Sequence, residues 1–181
     1  MAYKISETWL MNYQEENLKK QVGLFLEDYR SYLSELPGFR QRQECISKMN
    51  HFKRADYWSC QDMEMDVRVG DICYTDFGIG YINECSYQHF GLITSVINHK
   101  AYIIPMTSNH RTVRQAKKGT KDHLFYIGQP AGLNRETCAF INDGRFINTA
   151  RIISVNAHID SSSETFSKLI DVVIACFYDK M

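Results

Sequence analysis

No surplus charge of either sign marks this sequence. Its 21 Lys and Arg stand against 21 Asp and Glu in 181 residues, so whole-chain electrostatics select no partner. No stretch reaches the ~18 uninterrupted apolar residues that a membrane helix needs, which excludes a spanning helix. The opening residues, Met1-Ala2-Tyr3-Lys4-Ile5-Ser6-Glu7, lack the basic start, apolar run and small-residue cleavage site of a signal peptide, so the cytoplasm is the expected compartment. Cys45, Cys60, Cys73, Cys85, Cys138 and Cys176 form no C-x-x-C, which argues against a compact zinc cluster and a thioredoxin-type motif. They are expected to be buried or half-buried free thiols. Also missing are G-x-S-x-G, G-x-x-x-x-G-K-[ST], H-E-x-x-H and a strand-linked G-x-G-x-x-G, and Gly78-Ile79-Gly80 alone is too weak to mean phosphate binding.

What is present is core-forming material: 44% hydrophobic and 13% aromatic residues supply the apolar surface for one domain with an appendage. The charge balance conceals an asymmetry. Residues 67–159 carry ten basic and six acidic side chains, whereas the segments on either side are each two charges negative. His110, Arg111, Arg114, Lys117, Lys118 and Lys121 fall within twelve residues of this middle segment, with no acidic side chain among them until Asp122. They read as a basic loop suited to an anion or nucleic acid, or as an ordinary solvated one.

From Gln14 to Leu36 the apolar positions Leu18, Val22, Phe25, Leu26, Tyr29, Leu33 and Leu36 step by three and four, which predicts one helix ended by Pro37-Gly38. A weaker helical stretch covers about Arg40 to Phe52, and the polar run Asp62–Asp66 predicts a connector and a boundary near residue 66. The period then becomes extended. Strands are expected at 72–77, 90–97, 101–104, 124–127, 137–141 and 145–147, with Asn98-His99-Lys100 at hairpin distance and a long loop from Gly78 to Gln88. A stripe of Phe166, Leu169, Ile170, Val173, Ile174 and Phe177 predicts a last helix, for which Ser161 and Glu164 fit a capping box. The expected class is α+β, mainly β: a small barrel over residues 67–181 that includes a C-terminal helix, preceded by a helical extension over residues 1–66.

The polar residues at predicted strand ends and around the basic loop are His89, Thr107, Ser108, Asn109, Arg111, Arg145 and Arg151, a set suited to phosphodiester chemistry without a metal. Of the aromatic rings near the basic segment, Tyr81 and Tyr87 lie in the loop and are the candidates for stacking on unpaired bases.

Val69-Gly70-Asp71-Ile72-Cys73-Tyr74-Thr75-Asp76-Phe77-Gly78 resembles the opening strand of the PemK/MazF-like toxin family. The family's next landmarks follow in order: a loop glutamate, Glu84; a second strand, His89–Ser95; a third, Ile103–Ser108; and a late basic element, Asp143–Ile152. The resemblance spans about half of the chain, roughly Val67 to Ile159, and leaves residues 1–66 outside it. It implies an SH3-like barrel that forms a homodimer and cuts single-stranded RNA sequence-selectively, without a metal or cofactor, as a growth-inhibiting toxin restrained by a cognate antitoxin.

The sequence departs from that pattern at one place. Where the family carries an arginine before a proline at the start of the second strand, this chain has His89-Phe90. The companion threonine is matched by Thr107. Attack by a ribose 2′-hydroxyl needs a base, an acid and donors for the developing phosphorane charge, and histidine serves the first two roles at neutral pH. The expected catalytic set is therefore His89 as acid/base, Thr107 as hydroxyl donor, and Arg145 or Arg111 as charge stabiliser. Glu84, Tyr81, Tyr87, Ser108, Asn109, Arg111, Arg114, Lys117, Lys118 and Arg151 are the expected RNA contacts. The alternatives are a catalytically inactive barrel that binds nucleic acid or protein, and a chain whose own N-terminal helices occupy the groove.

Overall fold

The computed structural model describes residues 4–12 and 15–178. The chain divides into two compact units, Met1–Cys45 and Ile46–Met181, so the division falls inside a helix and well before residue 66.

The first unit holds α1 (Glu7–Met11), α2 (Leu18–Glu35) and the start of α3 (Gly38–Arg54). A short 3-10 turn at Glu15–Asn17 leads into α2, and the expected helix start at Gln14 lies outside the described residues. α2 ends because Pro37 disfavours a helical residue before it, and Leu36 is extended with ψ 147°. Asp28 and Glu44 are buried charged residues of this unit, and the Asp28 carboxylate accepts the backbone N–H groups of Lys4 and Ile5 at 2.7 and 3.0 Å. The apolar stripe of α2 is open over its first half: Leu18, Val22, Phe25 and Leu26 are all exposed.

The second unit is built on antiparallel strands: β1 (Asp71–Asp76), β2 (Gln88–Ile97), β3 (Lys100–Thr107), β4 (Leu124–Gly128), β5 (Thr137–Phe140), β6 (Arg145–Asn148) and β7 (Ile152–His158). Their order is β4-β5-β3-β2-β1-β7, with β6 also on β3. The path ends at β4 and β7, so the strands curl without closing the expected barrel. β3 makes the turn between sheets: it pairs with β6 through Lys100–Ile103 and with β5 at Met106 and Thr107. Asn98 and His99 join β2 to β3 with φ of 46° and 63°, the left-handed pair that a tight hairpin requires.

Strand alternation sends side chains to two cores. Ile72, Leu92, Ile104 and Met106 pack against Phe166, Leu169 and Val173 of α5 (Glu164–Phe177), while Cys73, Ile93, Ala101, Ile103, Ile147 and Ile152 gather with Phe77 on the other side. Gly91 permits this closeness, because a Cβ there would lie 2.3 Å from Ile103 Cγ2.

Several expectations are corrected here. The basic loop is a helix, α4 (His110–Lys117), capped by Asn109 and held down by Val113 and Ala116 against Leu124 and Cys138. Two apolar residues were too few for a periodic signal. Residues 152–158, left without an element by the sequence reading, form the edge strand β7. Ser163, not Ser161, caps α5 by accepting Phe166 N–H at 3.3 Å, because Ser162 is drawn into a turn by Asp160. Cys45 is exposed, whereas Cys60, Cys73 and Cys138 are buried as expected; all six thiols are free.

One buried carboxylate joins several segments of this unit. Asp76, at the end of β1, accepts hydrogen bonds at 2.9 Å from Ser47 Oγ and Asn50 Nδ2 of α3, Gln88 Nε2 of β2 and the Gly78 N–H. Burial pushes its carboxyl upward, but the bonds from Asn50, Gln88, Gly78 and Ser47 outweigh it and hold the group below the usual carboxylate range. Its stabilising effect is therefore present in full above the unfolded pKa and fades as pH falls through the lower folded one. Asp76→Asn is expected to lose about 2 kcal/mol at pH 7. In urea unfolding, the gap to the parent protein should shrink below about pH 4.

Candidate functional site

The β1–β2 loop, residues 77–87, sits at one end of this sheet. Backbone bonds from Phe77 N–H to Tyr87 O and from Tyr87 N–H to Gly78 O close its base, at 2.7 and 2.5 Å. Near its tip, the Glu84 carboxylate accepts the Tyr81 N–H at 3.0 Å, and a Cβ on Gly80 would meet Ser86 Oγ at 2.7 Å and Glu84 Oε2 at 2.9 Å. Glu84 thus orders the loop from within. Two residues leading into β6 clamp it from below: Asp143 accepts the Cys85 N–H, and Arg145 Nη2 donates to the Cys85 carbonyl. Arg145 also lies over the Phe77 ring at 5.4 Å, and its buried Nε has no partner among the described residues.

His89 enters β2 beside this clamp. It is half-buried and pairs across the ladder with Thr75 of β1. Burial lowers its pKa below the ordinary 6.5, while the Asp143 carboxylate pulls the other way. The imidazole is therefore neutral at pH 7 and is a base before it is an acid. Thr75, fully buried, holds a hydroxyl with no hydrogen-bond partner among the described residues. It was missed in sequence because a strand threonine carries no signal of its own.

Thr107 ends β3. The last registered β2–β3 pair is Gly91 with Pro105; beyond it Thr107 pairs with Cys138 of β5, while His89 pairs with Thr75 of β1. Thr107 Oγ1 accepts the Asn109 N–H at 3.1 Å, which leaves its own proton to donate. A small cavity of about 40 Å³ beside it is also lined by Ser108, by Asn134 and Arg135 of the β4–β5 loop and by Thr137 of β5. Neither Asn134 nor Arg135 was singled out from the sequence.

The remaining candidates separate into open and engaged groups. Asn109 caps α4 through its Oδ1, which accepts the Arg111 and Thr112 N–H groups at 3.1 and 3.2 Å. Lys117 is paired with Glu136 at 2.5 Å and lies 4.9 Å from the centre of the Tyr126 ring; the Glu136 bond raises its pKa. Ser108, Arg111, Arg114 and Lys118 are exposed, and the two arginines have no ion-pair or hydrogen-bond partner on their side chains among the described residues. Arg151 is exposed, with Nη1 donating to the Phe77 carbonyl at 3.2 Å. Tyr81 projects into solvent at 85% exposure, but Tyr87 is only 5% exposed, with φ of 62°. Its ring is not open for stacking, which corrects the expectation drawn from its loop position. Burial raises the thiols of Cys73 and Cys85 to about 12, so neither is a thiolate nucleophile at pH 7. Among the described residues, no group of three His, Cys, Asp or Glu side chains is placed to hold a metal ion, and no helix is long and apolar enough to cross a membrane.

No family model and no curated protein matches the sequence. The chain is similar to the solved structure of MazF (Form-I) from Deinococcus radiodurans, at 12% identity over 63% of this chain and 98% of that one, with a TM-score of 0.49. It is also similar to an endoribonuclease in complex with its cognate antitoxin from a mycobacterial species, at 12% identity, 64% and 96% coverage and a TM-score of 0.43. MazE-MazF (Form-II) from Deinococcus radiodurans gives 13% identity, 64% and 97% coverage and a TM-score of 0.42.

The clamp on Cys85 generates an expectation. Arg145→Ala removes the donor to the Cys85 carbonyl and should release the loop at a cost of about 1–3 kcal/mol in local opening. Amide exchange over residues 78–87 should then speed up roughly ten-fold or more while exchange in β2 and β3 is unchanged.

Proposed function

We propose that this protein is a PemK/MazF-like ribonuclease toxin that cuts single-stranded RNA sequence-selectively by 2′-hydroxyl attack, without a metal. The observation that carries this reading is His89, half-buried at the start of β2 near the Asp143 carboxylate, with burial lowering its pKa below the ordinary value. The landmark order from Val69 to Ile152 supports it independently.

In this reading His89 takes the proton of the 2′-hydroxyl as that oxygen attacks the adjacent phosphorus. The P–O5′ bond breaks, and the imidazolium returns the proton to the leaving 5′-oxygen, giving a 2′,3′-cyclic phosphate and a 5′-hydroxyl. Thr107 donates its O–H to a non-bridging phosphate oxygen, since Asn109 N–H already engages its lone pair. Arg145 adds fixed positive charge beside the loop, and the exposed Arg111 is a second stabilising cation. Tyr81 stacks on a base; Arg114, Lys118 and Arg151 meet phosphates. By the family resemblance, the protein works as a homodimer in the cytoplasm and is restrained by a cognate antitoxin.

The test incubates the purified chain with a long single-stranded RNA in EDTA and maps the ends. His89→Ala and Thr107→Ala should each lower cleavage by roughly 10²–10⁴. Uncut RNA, or cutting that both variants retain, would overturn the assignment; RNA bound but uncut would favour the inactive binding module. The rate of the parent protein should rise with pH through a half-maximal point below the ordinary histidine value of 6.5, because the base works in its neutral form and its pKa is lowered.

A further inference from the structure

A cavity of about 410 Å³ in the second unit is not lined by Thr107. Its walls are the last turns of α3, from Ser47 onward, the segment to Tyr57, the start of the β1–β2 loop and the residues after β6. Its charged lining is Lys48, Arg54 and Arg151 against a single carboxylate, Asp76. That carboxylate is saturated, with all its bonds made to Ser47, Asn50, Gln88 and Gly78. It faces the two guanidinium groups across the same cleft.

Both guanidinium groups are held by backbone. Arg54 Nη1 donates to the carbonyls of Ala150 and Ile152 at 3.2 and 2.9 Å, and Arg151 Nη1 to that of Phe77 at 3.2 Å. In each, Nη2 has no hydrogen-bond partner among the described residues, and neither does the Tyr57 hydroxyl. The two forks are thus oriented in advance and retain donors, the arrangement that recognises phosphate oxygens. A phosphomonoester carries about −1.5 to −2 charges at pH 7 and three acceptor oxygens, which such donor forks match. The volume falls within the ~300–1,000 Å³ of small-molecule sites.

We propose that this cleft binds a terminal phosphate on a nucleoside-sized ligand, either a free nucleotide or the phosphorylated end of an RNA. Arg54 and Arg151 grip the phosphate, Lys48 adds charge, and the Tyr57 ring forms the side wall for the nucleoside. Most of the site lies on α3 and its following segment, which fall outside the residues that resemble the toxin family. Ligand binding is measured whether or not RNA is cut, so the proposal stands apart from the ribonuclease reading.

The test is titration calorimetry on the full chain with the four nucleoside 5′-monophosphates, the matching nucleosides, and a tetranucleotide with a 5′-phosphate or a 5′-hydroxyl. At least one phosphate-bearing probe should bind ten-fold or more tightly than its phosphate-free partner. Lys48→Ala and Arg54→Gln should each weaken it at least ten-fold, while Lys168→Ala on α5 should not change it. Because Arg54 also holds two carbonyls, its variant counts only if circular dichroism shows the parent fold; Lys48→Ala carries the test otherwise. Preference for the monophosphate assigns the free nucleotide, and preference for the phosphorylated tetranucleotide assigns the RNA end; both uphold the site. Equal binding with and without phosphate, no binding of any probe, or binding that Lys48→Ala leaves intact would each overturn it.

Discussion

Asp76 is a charge taken out of water, and a carboxylate in that position persists only when donors replace its hydration. Here the donors come from α3, from the loop backbone and from β2, and every bond is 2.9 Å. Helix, loop base and strand start therefore cannot shift independently. Gln88, one of the four, immediately precedes His89. The position of the candidate base is thus coupled to residues of α3 that belong to no recognisable chemical motif.

A second layer of constraint acts on the loop. Asp143 and Arg145 take the two backbone groups of Cys85, and Glu84 takes the Tyr81 N–H. These polar side chains order a segment that has no strand or helix of its own. The same carboxylate of Asp143 opposes the burial that lowers the His89 pKa. Loop geometry and the proton affinity of the base therefore share a residue. Tyr81 at the loop tip and the arginines of α4 are exposed.

Elements with a strong period were legible. α2, α5 and most of the strands lie within a few residues of expectation, because a buried stripe or an alternating face leaves its period in the sequence. α4 was not legible, since its polar face outnumbers two small anchors, Val113 and Ala116, and its cap, Asn109, is a residue type equally common in loops. Tyr87 looked open because loops are usually exposed, yet its ring is buried. His89 and Thr107 stand out in the sequence as candidates through motif order, whereas Thr75, Arg135 and the cleft beside Arg54 have no linear signal.

Sequence by itself determined the helical and extended periods, the basic middle segment, the order of the landmark motifs and the presence of histidine where the family has arginine. These are properties of neighbours along the chain. Only the tertiary structure decided that the strands stay open at β4 and β7, that Asp76 gathers four donors, that Arg145 clamps Cys85 and that Arg54 and Arg151 face one cleft. Apart from the Gly78 N–H, two residues from Asp76, these bonds join residues from 12 to 98 positions apart, and no local pattern encodes which distant partner satisfies a buried polar group.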